Sequence, residues 1–171
     1  MLEFLAEGTT VEALSMEAVA SRAGVGKATV YRRWPHKEAL ILDAIATLKQ
    51  PLDVPPGESV RDDLIALMQQ SWEARDSRAG RIMPCLIPEL QRQGPLRTQF
   101  IKFMDHRRDV IRDVLRRGIV TGELRSDIDV ELALILLSGP MFMTLIGNAP
   151  NVGTDHLAER VVDNVLRGIA C

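Results

Sequence analysis

The sequence predicts an all-α protein in two parts. Apolar residues recur at the helical period along most of the chain, and no alternating run is long enough for a strand. The composition is rich in Ala, Leu, Glu and Arg, with only 4% aromatics, which is the usage of good helix formers. At 171 residues, 46% hydrophobic and 26% charged, the chain has a soluble globular composition and can bury a real core.

Each element follows from spacing and punctuation. Met16, Val19, Ala20 and Ala23 stand at i, i+3, i+4 and i+7, with Ser15 placed to cap that helix and Gly24 to stop it. Ile41, Ala44, Ile45 and Leu48 repeat the spacing in a helix beginning near His36 and Lys37. Pro51, Pro55, Pro56 and Gly57 form the one Pro/Gly-rich break. It sets a boundary near 50–58 and divides a domain over 1–49 from one over 50–171.

Beyond the break, Ser59 caps a helix striped by Val60, Leu64, Leu67, Met68 and Ser71. A shorter segment interrupted by Pro84 and Pro88 ends at Gly94-Pro95. Phe100, Phe103, Met104, Ile111, Val114 and Leu115 mark a long helix that ends near 118–122. Asp129 or Asp127 opens an apolar helix through Ile146. Thr154 caps the last one, striped by Leu157, Val161, Val162, Val165, Leu166 and Ile169.

Several function classes fall away. Residues 132–147 are the most apolar stretch, but these 16 residues are broken by Ser138, Gly139 and Pro140. A bilayer span needs about 20, so the stretch reads as a buried helix. Residues 1–8 carry two acids and no base, the opposite of a signal-peptide start, and a cytoplasmic location is expected. Cys85 and Cys171 are too few for a disulfide scaffold. His36, His106 and His156 stand far apart, and no His/Cys/Asp grouping has metal spacing. No Ser/His/Asp or paired-carboxylate set is visible, so neither an enzyme nor a cofactor is expected. The run from Gly24 to Thr29 resembles a phosphate loop only superficially. Ser21 stands where that loop needs Gly, Ala28 follows Lys27 where it needs Ser or Thr, and a helix rather than a strand precedes it.

Charge is distributed unevenly. The net charge of −2 excludes a globally basic coat. From Ser15 to Lys49 there are nevertheless six bases against three acids, while from Pro51 onward 15 bases face 17 acids. The small N-terminal part is locally basic.

Residues 15–37 read as helix, tight turn and short helix. The first runs over 15–23, Gly24-Val25-Gly26 turns the chain, and the second runs from Lys27 to Trp34. Pro35 halts it by disfavouring helical geometry at the residue before. Two helices joined in this way form a helix-turn-helix, whose second helix enters the DNA major groove. Val30 and Trp34, at i and i+4, can face the domain core. Lys27, Ala28, Thr29, Tyr31, Arg32 and Arg33 then cover the remaining faces. Arg pairs bidentately with guanine, Ala and Thr methyls suit the thymine methyl, and Tyr and Lys suit phosphates.

The stretch SMEAVASRAGVGKATVYRRWPHKEALILDAI, residues 15–45, resembles the DNA-binding domain of TetR-family transcriptional regulators. Ala20, Ala23-Gly24-Val25, Lys27, Thr29, Tyr31, Trp34 and Lys37-Glu38-Ala39-Leu40 carry the resemblance. It implies that Ser15 caps the first motif helix and touches phosphate, that Lys27, Ala28, Thr29, Tyr31, Arg32 and Arg33 lie on the recognition helix, and that His36 and Lys37 hold backbone-contact positions. It also implies a homodimer on a palindromic operator, a repressor released by a small molecule, and dimerisation through the last two helices, here 132–146 and 157–169.

A ligand pocket formed by Met68, Trp72, Met83, Phe100, Phe103, Met104, His106 and Met141 is expected in the helical domain. In this family the first helix usually begins ten or more residues earlier. Met1 to Ala6 stand in its place here, so the natural start is expected further upstream, or the DNA-binding head is weakly packed. The competing reading is an all-α ligand- or partner-binding protein whose head does not bind DNA.

Overall fold

A computed structural model describes residues 1–47, 52–74, 77–145, 153 and 155–169. It contains nine helices and no strand among the described residues. They are α1 (Leu2–Ala6), α2 (Met16–Arg22), α3 (Lys27–Arg33), α4 (Lys37–Ala46), α5 (Val60–Glu73), α6 (Arg78–Gln91), α7 (Pro95–Thr121), α8 (Val130–Leu145) and α9 (Leu157–Ile169).

The caps explain the helix starts. Ser15, Ser59 and Ser77 each accept a hydrogen bond from a backbone N–H three positions ahead, which satisfies a donor the helix leaves free. Asp129, one of the two candidates for α8, accepts from the N–H groups of Glu131 and Leu132. Thr154, expected to cap the last helix, lies outside the described residues, and α9 starts later, at Leu157. Leu48 and Ile146 also lie outside them.

The chain divides into two compact units that do not follow it linearly. The first holds residues 1–50 and 76–103, the second 51–75 and 104–171. The sequence-level division at 49/50 misses that 76–103 pack with the N-terminal residues. The physical reason is apolar demand. Leu5, Val11, Leu14, Met16, Val19, Ala20, Val30, Leu40 and Ile41 are completed as a core by Ile82, Leu86 and Leu96. α1 has five residues and packs on α6.

α6 departs from expectation. It is a continuous 14-residue helix despite Pro84 and Pro88. Each proline removes one backbone hydrogen bond. Both are exposed, on the face opposite the buried Ile82 and Leu86, so neither ring enters the core.

In the second unit, α5, the later part of α7, α8 and α9 enclose Leu64, Leu67, Met68, Leu115, Leu137 and Val162. α7 ends at Thr121, within the expected 118–122, before Gly122 at φ +80°, and Gly118 lies inside it where a Cβ would sit 2.7 Å from Val60 and 2.8 Å from Leu124. Asp63, 1% exposed, pairs with the Arg117 guanidinium and accepts from the Gly57 N–H. Arg61 on α5 binds Asp163 and Glu159 on α9. α8 is not the fully buried helix that its composition predicts. Ala133, Leu134 and Leu137 are buried, while Leu132, Ile135, Leu136, Phe142 and Met143 are exposed in the single chain.

Candidate nucleic-acid interface

The motif is built by its turn. At the end of α2 the Val25 N–H donates to the Ala20 carbonyl and the Gly24 N–H to that of Ser21. This paired closure requires a left-handed residue, supplied by Gly24 at φ +66°. α3 then starts at Lys27 and ends at Arg33, followed by Trp34, whose extended backbone (φ −131°, ψ 102°) is what a following proline demands. Val30 is 4% exposed and Trp34 packs partly against the same core. These two residues hold α3 to the unit, as the i, i+4 spacing predicts.

The other α3 side chains face outward. Lys27, Ala28, Thr29, Tyr31, Arg32 and Arg33 are all exposed. Their surroundings differ. Arg33 lies 3.6 Å from Asp43 and stacks over the Trp34 ring at 4.7 Å, while the Trp34 indole N–H donates to the same carboxylate at 3.0 Å. The Tyr31 hydroxyl donates to Glu17 at 3.1 Å. That bond pushes the phenol pKa up. The Glu17 carboxyl lies below the usual glutamate range, first through its own backbone N–H and then through Tyr31. Among the described residues of α3, Arg32 is a cation with no such partner.

The N-terminus of α4 is organised internally. His36 caps it, its Nδ1 accepting from the Ala39 N–H, and lies 3.2 Å from Glu38. Lys37 Nζ donates to the carbonyls of Val11 at 2.9 Å and Glu12 at 3.1 Å. In the free protein Lys37 is therefore a strut between α4 and the segment before α2, not the freely extended phosphate contact expected of it. Ser15 caps α2, with its hydroxyl oxygen taken up by Ala18 N–H.

The eight expected pocket residues are divided between the two units. Phe100 and Phe103 line a cleft of about 300 Å³ in the first unit, together with Leu42, Asp43, Ile45, Ala46, Leu96 and Gln99. Met83 packs against that unit's core. Met68 is buried core filler of the second unit, Met141 packs against it, and Trp72 and Met104 are half-buried. His106 is exposed on α7, as are Lys102, Asp109 and Asp113, while Ile111 and Val114 are buried. No group of three or more His, Cys, Asp or Glu residues suited to a metal occurs among the described residues, and no described helix is long and apolar enough to cross a membrane.

Sequence reasoning missed Glu17 and Asp43, the carboxylates that engage Tyr31, Arg33 and Trp34. Only the crossing of α2, α3 and α4 brings them there, so periodicity carried no signal of it.

Comparison with known proteins covers nearly the whole chain. Residues 8–44 match the family model described as bacterial regulatory proteins, tetR family, and residues 54–165 match the tetracyclin repressor-like C-terminal domain. An HTH-type transcriptional regulator of Bacillus subtilis (strain 168) is 30% identical over 160 residues, 92% of this chain and 80% of that one. One from Mycobacterium tuberculosis (strain ATCC 25618 / H37Rv) is 34% identical over 156 residues, 90% and 76% of the two chains. The solved TetR family transcription regulator SCO0332 superposes with a TM-score of 0.67 at 30% identity, covering 99% of this chain and 94% of its own. The regulator FadR of Bacillus subtilis, solved with stearoyl-CoA, has the same fold, with a TM-score of 0.74, 18% identity, and 98% and 95% coverage.

Proposed function

The chain belongs to the TetR family of bacterial transcriptional regulators, and from that premise we propose that it is a repressor that binds a palindromic operator as a homodimer and leaves it when a small molecule binds. One observation carries the DNA half of this reading: α3 stands on a glycine-closed turn with Arg32 exposed and without a partner, while Val30 holds the helix to the core. Arg32 is the base reader, since its donor fork is free to pair with a guanine edge. Arg33, leaning on Asp43 and Trp34, positions the helix end against the backbone. Ser15, Lys27, Ala28, Thr29, Tyr31 and His36 complete the contact surface. Residues 1–49 act as the DNA-binding head and 50–171 supply dimerisation and, together with α4, effector binding, with 76–103 bracing the head.

The dimer reading is supported by the exposed apolar face of α8, where Ile135 is 60% and Leu132 52% exposed, beside a surface hollow formed with Val161 and Val165 of α9. A contiguous apolar surface of this kind marks an interface. The effector reading is supported by the cleft of Phe100 and Phe103. Its apolar lining with two polar groups, Asp43 and Gln99, has the chemistry of a small-molecule site, at the small end of the range. α4 contributes four of its lining residues, and Asp43 also holds Trp34. An occupant would therefore bear directly on the end of the recognition helix. By linkage, a ligand that weakens DNA binding binds the DNA-free form more tightly by the same factor.

The deciding experiment is a selection of DNA sequences bound by the full chain. A palindrome with half-sites about 34 Å apart or somewhat more is expected. Failure to enrich any sequence would overturn the proposal.

A further inference from the structure

The surface that presents α3 carries a carboxylate of its own. Glu17, in the first turn of α2, accepts the Tyr31 hydroxyl at 3.1 Å, and Lys27 at the start of α3 is close enough to act on its charge. Tyr31 is 42% exposed, so this contact lies on the open side of the recognition helix rather than in the core. A phosphate within reach of Tyr31 or Lys27 must also come close to Glu17. The carboxylate remains ionised there, because the backbone N–H at the helix start and the Tyr31 hydroxyl both favour its charged form.

We propose that Glu17 is a brake on DNA binding: its charge repels the phosphate backbone, and its hydrogen bond withholds the Tyr31 hydroxyl from that backbone. The proposal rests on α3 being the recognition helix. Tyr31 has one hydroxyl proton. While it is donated to Glu17 it is not donated to a phosphate oxygen, so docking must open the Glu17–Tyr31 bond and leave the carboxylate facing like charge. Phosphates carry no base information, so the brake falls on all sequences alike. For a regulator that must leave its operator and search a genome, a ceiling on sequence-independent affinity limits capture by bulk DNA.

The test uses the full chain with Glu17→Gln, Glu17→Ala, Tyr31→Phe and Glu17→Ala/Tyr31→Phe, titrated with a selected duplex and a random one at low and physiological salt. Glu17→Gln is expected to bind both duplexes about three- to tenfold tighter at low salt, with the gain shrinking as salt rises and base preference unchanged. Glu17→Ala also removes the acceptor that a glutamine oxygen would still offer the Tyr31 hydroxyl, so its gain is expected to be smaller in the Tyr31→Phe background, where no hydroxyl remains to be released. Glu17→Ala, checked by its melting curve, repeats the comparison should the Gln variant fold poorly. Variants that melt like the wild type and bind neither duplex more tightly overturn the proposal. A gain confined to one base position would make Glu17 a base reader instead. An undiminished gain without the Tyr31 hydroxyl would remove the withholding step. If the wild-type chain binds no duplex at all, the recognition-helix reading fails, and this proposal falls with it.

Discussion

Lys37 Nζ donates to the Val11 carbonyl at 2.9 Å, tying the first turn of α4 to the segment that leads into α2. With its second bond to Glu12, two of the three N–H donors of the ammonium are engaged within the fold. This changes what a substitution there should do. Lys37→Ala is expected to destabilise the protein by about 1–2 kcal/mol, the scale of charge-assisted hydrogen bonds lost at a partly exposed site. DNA affinity should then fall for all sequences alike while the salt slope stays at the wild-type value. A slope flatter by about one unit would show that Lys37 leaves its carbonyls and holds a phosphate.

Arg32 and Arg33 are neighbours with different attachments, and their variants should separate. Arg32→Ala is expected to cost about 1–3 kcal/mol on the selected site and to relax preference at one base pair per half-site. Arg33→Ala is expected to weaken binding without changing base preference. Binding selections with each variant, read position by position, decide between them. The reverse pattern would move base readout to Arg33.

The α8 face gives a prediction in which folding and association can be separated. Ile135 and Leu136 are 60% and 49% exposed, so aspartate at both positions leaves the core intact. The double variant is expected to run as a folded monomer, whereas the wild type is expected at twice the 19.0 kDa chain mass in light scattering at micromolar concentration. A wild-type mass equal to one chain would sink the dimer.

Asp63→Ala should be costly. It leaves the Arg117 guanidinium without its carboxylate and the Gly57 N–H without its acceptor. Breaking a buried pair costs several kcal/mol, and because Arg117 is only partly shielded the loss is expected at about 3 kcal/mol. Chemical denaturation measures it. A loss below about 1 kcal/mol would mean that water replaces Asp63 without penalty.

The clasp between α5 and α9 should respond to acid. Arg61 holds the Asp163 carboxyl below its ordinary value of 3.8, so the folded protein binds that proton less readily than the unfolded chain. Its contribution is therefore full above the ordinary value and is lost as pH falls through the depressed one. Asp163→Asn is expected to flatten the decline of melting temperature below about pH 4, with little change in the pH profile at neutrality. An unchanged acid limb would show that the clasp adds no proton-linked stability.

The sequence by itself determined the elements and the motif. Ser15, Gly24, Pro35 and Ser59 act on the backbone within a few residues of themselves, so the limits of α2, α3 and the start of α5 were readable, as was the inward pair Val30 and Trp34. Local chemistry decides such features. Tertiary structure decided what local chemistry cannot reach. Whether α6 continues through Pro84 and Pro88 depends on Ile82 and Leu86 finding the core around Leu5. Whether Lys37 points outward depends on carbonyls 25 and 26 residues away. Which side of α7 carries His106 depends on where the second unit places its core. The carboxylates of Glu17 and Asp43 come to α3 only because three helices cross, and a contact across 14 residues leaves no period in the sequence.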